Sequence, residues 1–179
     1  IESYRKRRPK LQSISRAPIP AEIGPEPQQV VTPHAIQERA MKALEETRRK
    51  GNTAGLVVMA TGLGKTWLAA FDSNRPEFQR ILFVAHREEI LSQSRHTFRA
   101  IRPESRLGLY AGQTRDRDKD VVFASIQTLG KTAHLDKFPK DAFDYIVVDE
   151  FHHAHAPTYR RLIAHFRPKF LLGLTATLE

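Results

Sequence analysis

The sequence predicts an α/β domain, a mostly parallel sheet with helices on both faces. Three observations carry that expectation. Short apolar runs with almost no polar interruption recur at 56–59, 81–85, 121–124, 145–148 and 170–174. Stretches with helical spacing of apolar residues separate several of them. Strands apolar on both sides belong to sheets covered on both faces, and such sheets are parallel. Finally, the polar residues of interest follow the carboxyl ends of these runs, where ligands of parallel sheets collect.

Residues 1–30 read as a basic, proline-rich linker. Pro9, Pro18, Pro20, Pro25 and Pro27 leave no room for a long helix or a central strand. Arg5, Lys6, Arg7, Arg8 and Lys10 cluster there. The chain starts at Ile1 rather than at Met and stops just past a Thr-Ala-Thr, so both ends are expected to be cut from something larger. The ordered domain is expected over 31–179.

Thr32-Pro33 reads as an N-cap followed by proline at the first helical position. Ile36, Ala40, Ala43 and Leu44 then share one helical face, and Gly51 ends the helix. The run 56–59 is the first strand. Ile90, Leu91, Ser94, Phe98 and Ile101 mark an amphipathic helix after the second strand. Leu162, Ile163 and Phe166 mark a shorter helix after Pro157. Trp67 and Phe71, at helical spacing, are expected in the core.

With 179 residues and 40% hydrophobic side chains the chain can bury a core. No apolar run approaches the ~20 residues of a membrane span, and no signal peptide is visible. There is no cysteine, which removes disulfides and thiolate zinc sites and is compatible with a cytoplasmic location. The net charge of +9 favours polyanionic partners such as nucleic acid or an anionic membrane.

The most telling segment is Ala60-Thr61-Gly62-Leu63-Gly64-Lys65-Thr66, between an apolar run and the helix-forming Trp67-Leu68-Ala69-Ala70. Strand, glycine turn and helix form a phosphate-binding loop: backbone N–H groups wrap a phosphate and the helix start adds positive potential. Lys65 can reach the β- and γ-phosphates of a nucleotide, and the Thr66 hydroxyl can ligate Mg²⁺. The general pattern also wants a glycine where Met59 stands. Asp149-Glu150-Phe151-His152 closes another apolar run. Asp149 would hold Mg²⁺, directly or through water, and Glu150 would orient or deprotonate the attacking water. His152, His153 and His155 invite a zinc reading, which the missing His-Glu-x-x-His pattern and thiolates argue against.

Together these segments resemble the first motor domain of superfamily 2 helicases and translocases, in the DExH-type branch with type III restriction-subunit-like helicases. The resemblance covers roughly 32–177 and implies a three-layer RecA-like P-loop NTPase domain acting on ATP and Mg²⁺. It also implies residue roles. Gln37 would read adenine, Thr61 to Thr66 (with Gly62, Leu63, Gly64 and Lys65) would bind the phosphates, and His152 would link the acidic box to the coupling segment Thr175, Ala176 and Thr177. Arg87, Gln127, Thr128 and, least strongly supported, Gly112 would contact nucleic-acid phosphates. Such contacts carry no base-sequence preference; DNA is the expected partner ahead of RNA. A second motor domain of the same full-length chain would supply arginine fingers, worth ~10³–10⁵ in rate, so this piece alone should hydrolyse ATP hardly at all. The alternatives are an ATP-gated translocation or sensing module of a nuclease-coupled restriction or defence protein, without strand separation, and a P-loop enzyme of small molecules such as a kinase.

Overall fold

The computed structural model describes residues 30–176. The expected linker therefore lies outside the described residues apart from Val30, as does Thr177 of the coupling segment. The elements, in chain order, are α1 (Ala35–Arg49), β1 (Ala54–Val58), α2 (Lys65–Ser73), β2 (Ile81–Ala85), α3 (Glu88–Ile101), β3 (Leu107–Ala111), β4 (Thr114–Arg115), β5 (Val121–Ser125), α4 (Ile126–Leu129), α5 (Thr132–Leu135), β6 (Tyr145–Val148), α6 (Pro157–His165) and β7 (Phe170–Thr175). A short 3-10 turn, Phe151–His153, separates β6 from α6.

The sheet has the order β1-β7-β6-β2-β5-β3-β4. Every pairing is parallel except β3 with β4. The registers align the carboxyl ends on one rim: Val58 lies beside Thr175, Val148 beside Gly173, Val84 beside Val148, and Ala85 beside Ser125. The chain leaves β1 at one edge and returns in β2 on the far side of β6 and β7. That reversal opens a crevice above β1, β7 and β6.

Alternation along the strands sorts the core into two halves. Phe83, Phe123, Tyr145, Val147, Phe170 and Leu172 face Leu44, Ala69, Ala70, Leu91 and Phe98 of α1, α2 and α3. Leu82, Val84, Val122, Ala124, Ile146 and Val148 face Ile126, Leu129, Leu135, Tyr159 and Leu162 of α4, α5 and α6, and Phe166 just past α6. The result is three layers, as the unbroken apolar runs require. A bidentate ion pair braces the first helical layer from within. Arg48 Nη1 and Nη2 donate to Asp72 at 2.7 and 2.8 Å, and the Tyr145 hydroxyl donates to the same carboxylate at 2.6 Å.

Several expectations need correction. Thr32 is not the N-cap: α1 starts at Ala35 behind His34, whose N–H donates to Gln37 Oε1 at 2.8 Å. This side-chain cap sets the start, and proline is not needed at the first turn. The helix is rotated from the expected face, with Gln37 and Leu44 buried and Ile36 41% exposed. Gly51 does end it, at φ +86°. Met59 lies past β1 rather than within it, yet its N–H still donates to Thr175 at 3.0 Å. Trp67 and Phe71 are half-buried, outside the core. The sequence reading also passed over β3 and β4: one carries an interior glycine, and the other is two residues long.

Candidate active site

Two glycines shape the loop after β1. Gly62 and Gly64 hold φ of +86° and +81°, a region open to glycine and strained for other residues. Gly64 is also the N-cap of α2, and a Cβ there would strike Nε2 of Gln37. Met59 does not adopt a positive φ, because Glu150 is the one non-glycine residue that does so among those described. The glycine of the general pattern is thus dispensable here: the chain runs on beside β7 before it turns.

The loop opens into a cleft of about 500 Å³ at the carboxyl rim of the sheet. Thr61, Gly62, Gly64, Lys65 and Thr66 of the loop line it together with Asp149, Glu150, His152, Thr175 and Ala176. The lysine of the glycine turn and the acids of β6 therefore share one cavity. Lys65 Nζ rests 3.4 Å from the Met59 carbonyl. Asp149 is 8% exposed, and one of its oxygens accepts the Glu150 N–H at 2.9 Å. Burial raises the Asp149 carboxyl above its ordinary range; the Glu150 charge adds to this, while the Glu150 N–H and Lys65 oppose it. The Thr66 hydroxyl and the Asp149 carboxylate, which line one cleft, are hard oxygen donors of the kind that would suit Mg²⁺.

Glu150 stands at φ 52°, ψ 49°, where the chain bends from β6 into the 3-10 turn. Phe151 then lies against β7 at Gly173. His152 Nδ1 meets Thr175 Oγ1 at 3.3 Å, so the acidic box and the end of β7 touch through the side chains the family resemblance pairs.

Gln37 is the site residue whose placement departs most from expectation. It is 2% exposed and does not line the cleft. Its Oε1 accepts from His34 N–H and its Nε2 donates to Gly64 O at 3.2 Å, so the amide ties the start of α1 to the glycine turn. Leu63, 42% exposed, also lies off the lining.

The residues expected to meet nucleic acid gather farther along the rim. Arg87 is the exposed N-cap of α3, just past β2. Gln127 Nε2 donates to the His86 carbonyl at 2.6 Å, joining the ends of β2 and β5. Thr128 closes a small cap with Ser125, whose Oγ accepts the Thr128 N–H at 3.3 Å. Gly112 holds φ +55° in the turn between β3 and β4, near Glu88 at the start of α3. Between the two groups stands a file of imidazoles: the rings of His86 and His153 lie 6.1 Å apart, and those of His153 and His152 4.1 Å apart.

The sequence reading missed part of the cleft wall. Ile90, Gln93 and Thr97 line it from α3, and Trp67 from α2. Their signal was a second helical stripe at 90, 93 and 97, beside the buried stripe of Leu91, Ser94 and Phe98.

This fold and this cleft define a P-loop NTPase core. More narrowly, the chain belongs to the ResIII family, the type III restriction enzyme res subunit, whose description matches residues 31–179. Among curated relatives, IRC3 of Saccharomyces cerevisiae is 29% identical over 161 residues, covering 80% of this chain and 23% of IRC3. The type I restriction enzyme EcoAI endonuclease subunit of Escherichia coli is 29% identical, over 82% of this chain and 19% of that protein. The DNA 3'-5' helicase XPB of Mycobacterium tuberculosis is 29% identical, over 70% and 24%. The chain thus spans about a quarter or less of these proteins. Among solved structures, the SWI2/SNF2 ATPase core of Sulfolobus solfataricus with double-stranded DNA superposes with TM-score 0.65 at 18% identity, covering 83% of this chain and 33% of that one. The type ISP restriction-modification enzyme LlaGI, a nuclease-deletion mutant with a DNA substrate mimic, gives 0.62 at 20%, covering 82% and 18%. At such identities the superpositions speak for the fold.

Proposed function

We propose that this chain is the ATP-binding motor domain of a nucleic-acid-dependent ATPase, a helicase or translocase. The observation that carries the reading is the shared cleft, lined by Lys65 and Thr66 of the glycine turn and by Asp149 and Glu150 after β6. Lys65 and the loop N–H groups bind the triphosphate. Thr66 and Asp149 would hold Mg²⁺, which would supply neutralisation of the charge developing on the phosphates. Glu150 orients the attacking water and takes its proton. His152 passes the state of the site to Thr175, Ala176 and Thr177 through its contact with Thr175.

Arg87, Gln127, Thr128 and Gly112 form the nucleic-acid side, contacting phosphates without base preference. DNA is the partner assigned first, since the XPB relative is named a DNA helicase and both solved neighbours hold DNA or its mimic. A second motor domain on the full-length chain completes the site. No helix among the described residues is long and apolar enough to cross a membrane; a cytoplasmic setting is proposed on the absence of cysteine.

The deciding experiment is ATPase activity of the full-length protein with single-stranded DNA, duplex DNA and RNA. We expect stimulation by nucleic acid and its loss in Lys65→Ala. Absence of stimulation by any of the three would sink the reading. A second reading is favoured by the EcoAI and LlaGI relatives, both named as restriction enzymes. There the domain drives translocation for a nuclease without separating strands. A strand-displacement assay beside a triplex-displacement assay distinguishes the two.

A further inference from the structure

Gly112 and Thr128, both assigned to the nucleic-acid side, are joined by an unbroken chain of contacts. Lys131, the exposed N-cap of α5, donates its N–H to the Thr128 carbonyl at 3.4 Å. The His134 N–H donates to the Lys131 carbonyl at 3.0 Å. His134 Nδ1 lies 2.8 Å from the Tyr110 hydroxyl. The Tyr110 ring in turn carries Arg115 of β4, whose guanidinium carbon stands 5.3 Å from the ring centre. Arg115 Nη1 donates to the Gly112 carbonyl at 2.6 Å and to the Thr114 carbonyl at 2.8 Å.

This arrangement fixes a cation without neutralising it. Nη1 is spent on two backbone carbonyls, and the aromatic face holds the exposed guanidinium by cation–π attraction. Among the described residues, no carboxylate pairs with Arg115. Asp116, next in the chain, is occupied: its Oδ2 accepts the Leu109 N–H at 3.0 Å. Glu88 of α3 approaches Gly112 and forms no ion pair with Arg115. The Nε and Nη2 N–H groups therefore remain open, and that edge of a guanidinium grips two oxygens of one anion. Because the side chain is already ordered, such a contact costs little further rotamer entropy. Positive charge is concentrated here. Burial first, then the charges of Arg115, Lys137 and Lys131, hold His134 below its ordinary value.

We propose that Arg115 is a contact for a nucleic-acid phosphate, one that carries the track beyond Gly112 and Thr128 onto the β3–β4 hairpin. Its guanidinium takes two phosphate oxygens through Nε and Nη2, and Lys131 adds charge from the start of α5. Such a contact reads no bases. The position suits it, because β4 ends the sheet order and Arg115 follows Gly112 by three residues. The inference rests on the nucleic-acid-dependent ATPase function proposed above.

The test uses the full-length protein and whichever of single-stranded DNA, duplex DNA and RNA stimulates its ATPase most. In Arg115→Gln, the nucleic-acid concentration giving half-maximal stimulation should rise about 3- to 10-fold. The rate at saturating nucleic acid should stay within about twofold, the pattern of lost binding rather than lost chemistry. The slope of log affinity against log salt should become shallower by about 0.7–0.9, as for one phosphate, and equally for oligonucleotides of unrelated sequence. Arg115→Lys keeps the charge and loses the two-pronged edge, so it should restore the salt slope and only part of the affinity. An unchanged half-maximal concentration and slope would overturn the proposal and leave Arg115 a brace of the hairpin. So would a loss in Arg115→Gln matched by an equal fall in saturated rate and a lowered unfolding midpoint. A wild-type protein that nucleic acid does not stimulate would overturn the function reading first, and this inference with it.

Discussion

The ring of Phe151 rests on Gly173 so closely that a Cβ there would stand 2.7 Å from the ring's Cδ2. The acidic box carries a bulky side chain at its third position, and β7 makes room for it by omitting one. Gly173→Ala should therefore destabilise the domain by about 1–3 kcal/mol, the usual range for overpacking. It should also push the 3-10 turn and its histidines off β7. Denaturant unfolding measures the first effect. Partial recovery in Gly173→Ala combined with Phe151→Leu would assign it to this contact, and no recovery would refute that assignment.

Asp149 is held at a cost to the fold. Its carboxyl is raised, chiefly by burial, so the folded chain binds that proton more readily than the unfolded chain does. The sign follows from linkage: stability is greatest below the ordinary carboxylate value and falls as pH rises from there through the raised one. Asp149→Asn should raise the unfolding midpoint at neutral pH by a few degrees, with the gain vanishing at pH below about 3.9. Hydrolysis should be abolished by the same change. A midpoint lowered at neutral pH would contradict the desolvation account.

The imidazoles of His86, His153 and His152 stand between Gln127 and Thr175. Chains of packed side chains are where coupling between two sites is carried. His153→Ala should reduce nucleic-acid stimulation of ATPase about 5- to 20-fold, within the ordinary range of coupling energies, and lower the unstimulated rate less. Equal reductions of both rates would show that His153 serves the ATP site alone.

Arg48, Asp72 and Tyr145 tie α1, α2 and β6 together far from the cleft. Removing Arg48 leaves the buried Asp72 charge with only the Tyr145 hydroxyl and Arg75 at 4.0 Å. Arg48→Ala should destabilise the domain by about 3–5 kcal/mol. Arg48→Met with Asp72→Leu should recover much of it, as apolar replacements of buried pairs do. Thermal unfolding of the three variants decides.

Much of the layered architecture was legible because the physics is local to each segment. Unbroken apolar runs demand cover on both faces, and Gly62, Gly64, Lys65 and Thr66 in sequence have few other uses. Asp149 and Glu150 stood out for the same reason, since they follow a strand without a charged residue. What stayed hidden depends on partners distant in sequence. His34 displaced Thr32 as the helix cap because Gln37 folds back onto it, and the face of α1 that packs inward carries Gln37 and Leu44 rather than Ile36. Strands β3 and β4 are defined by pairing with β5 and with each other, not by their own composition. Trp67 looked like core because helical spacing alone cannot tell a wall of a cleft from the packed interior.

The amide of Gln37, sealed at 2% exposure, clasps the His34 N–H with one end and the Gly64 carbonyl with the other. Both ends of that amide hold the chain's own backbone, so the first turn of α1 and the glycine turn after β1 form one unit, and a side chain at position 64 would collide with the clasp as well as strain the turn.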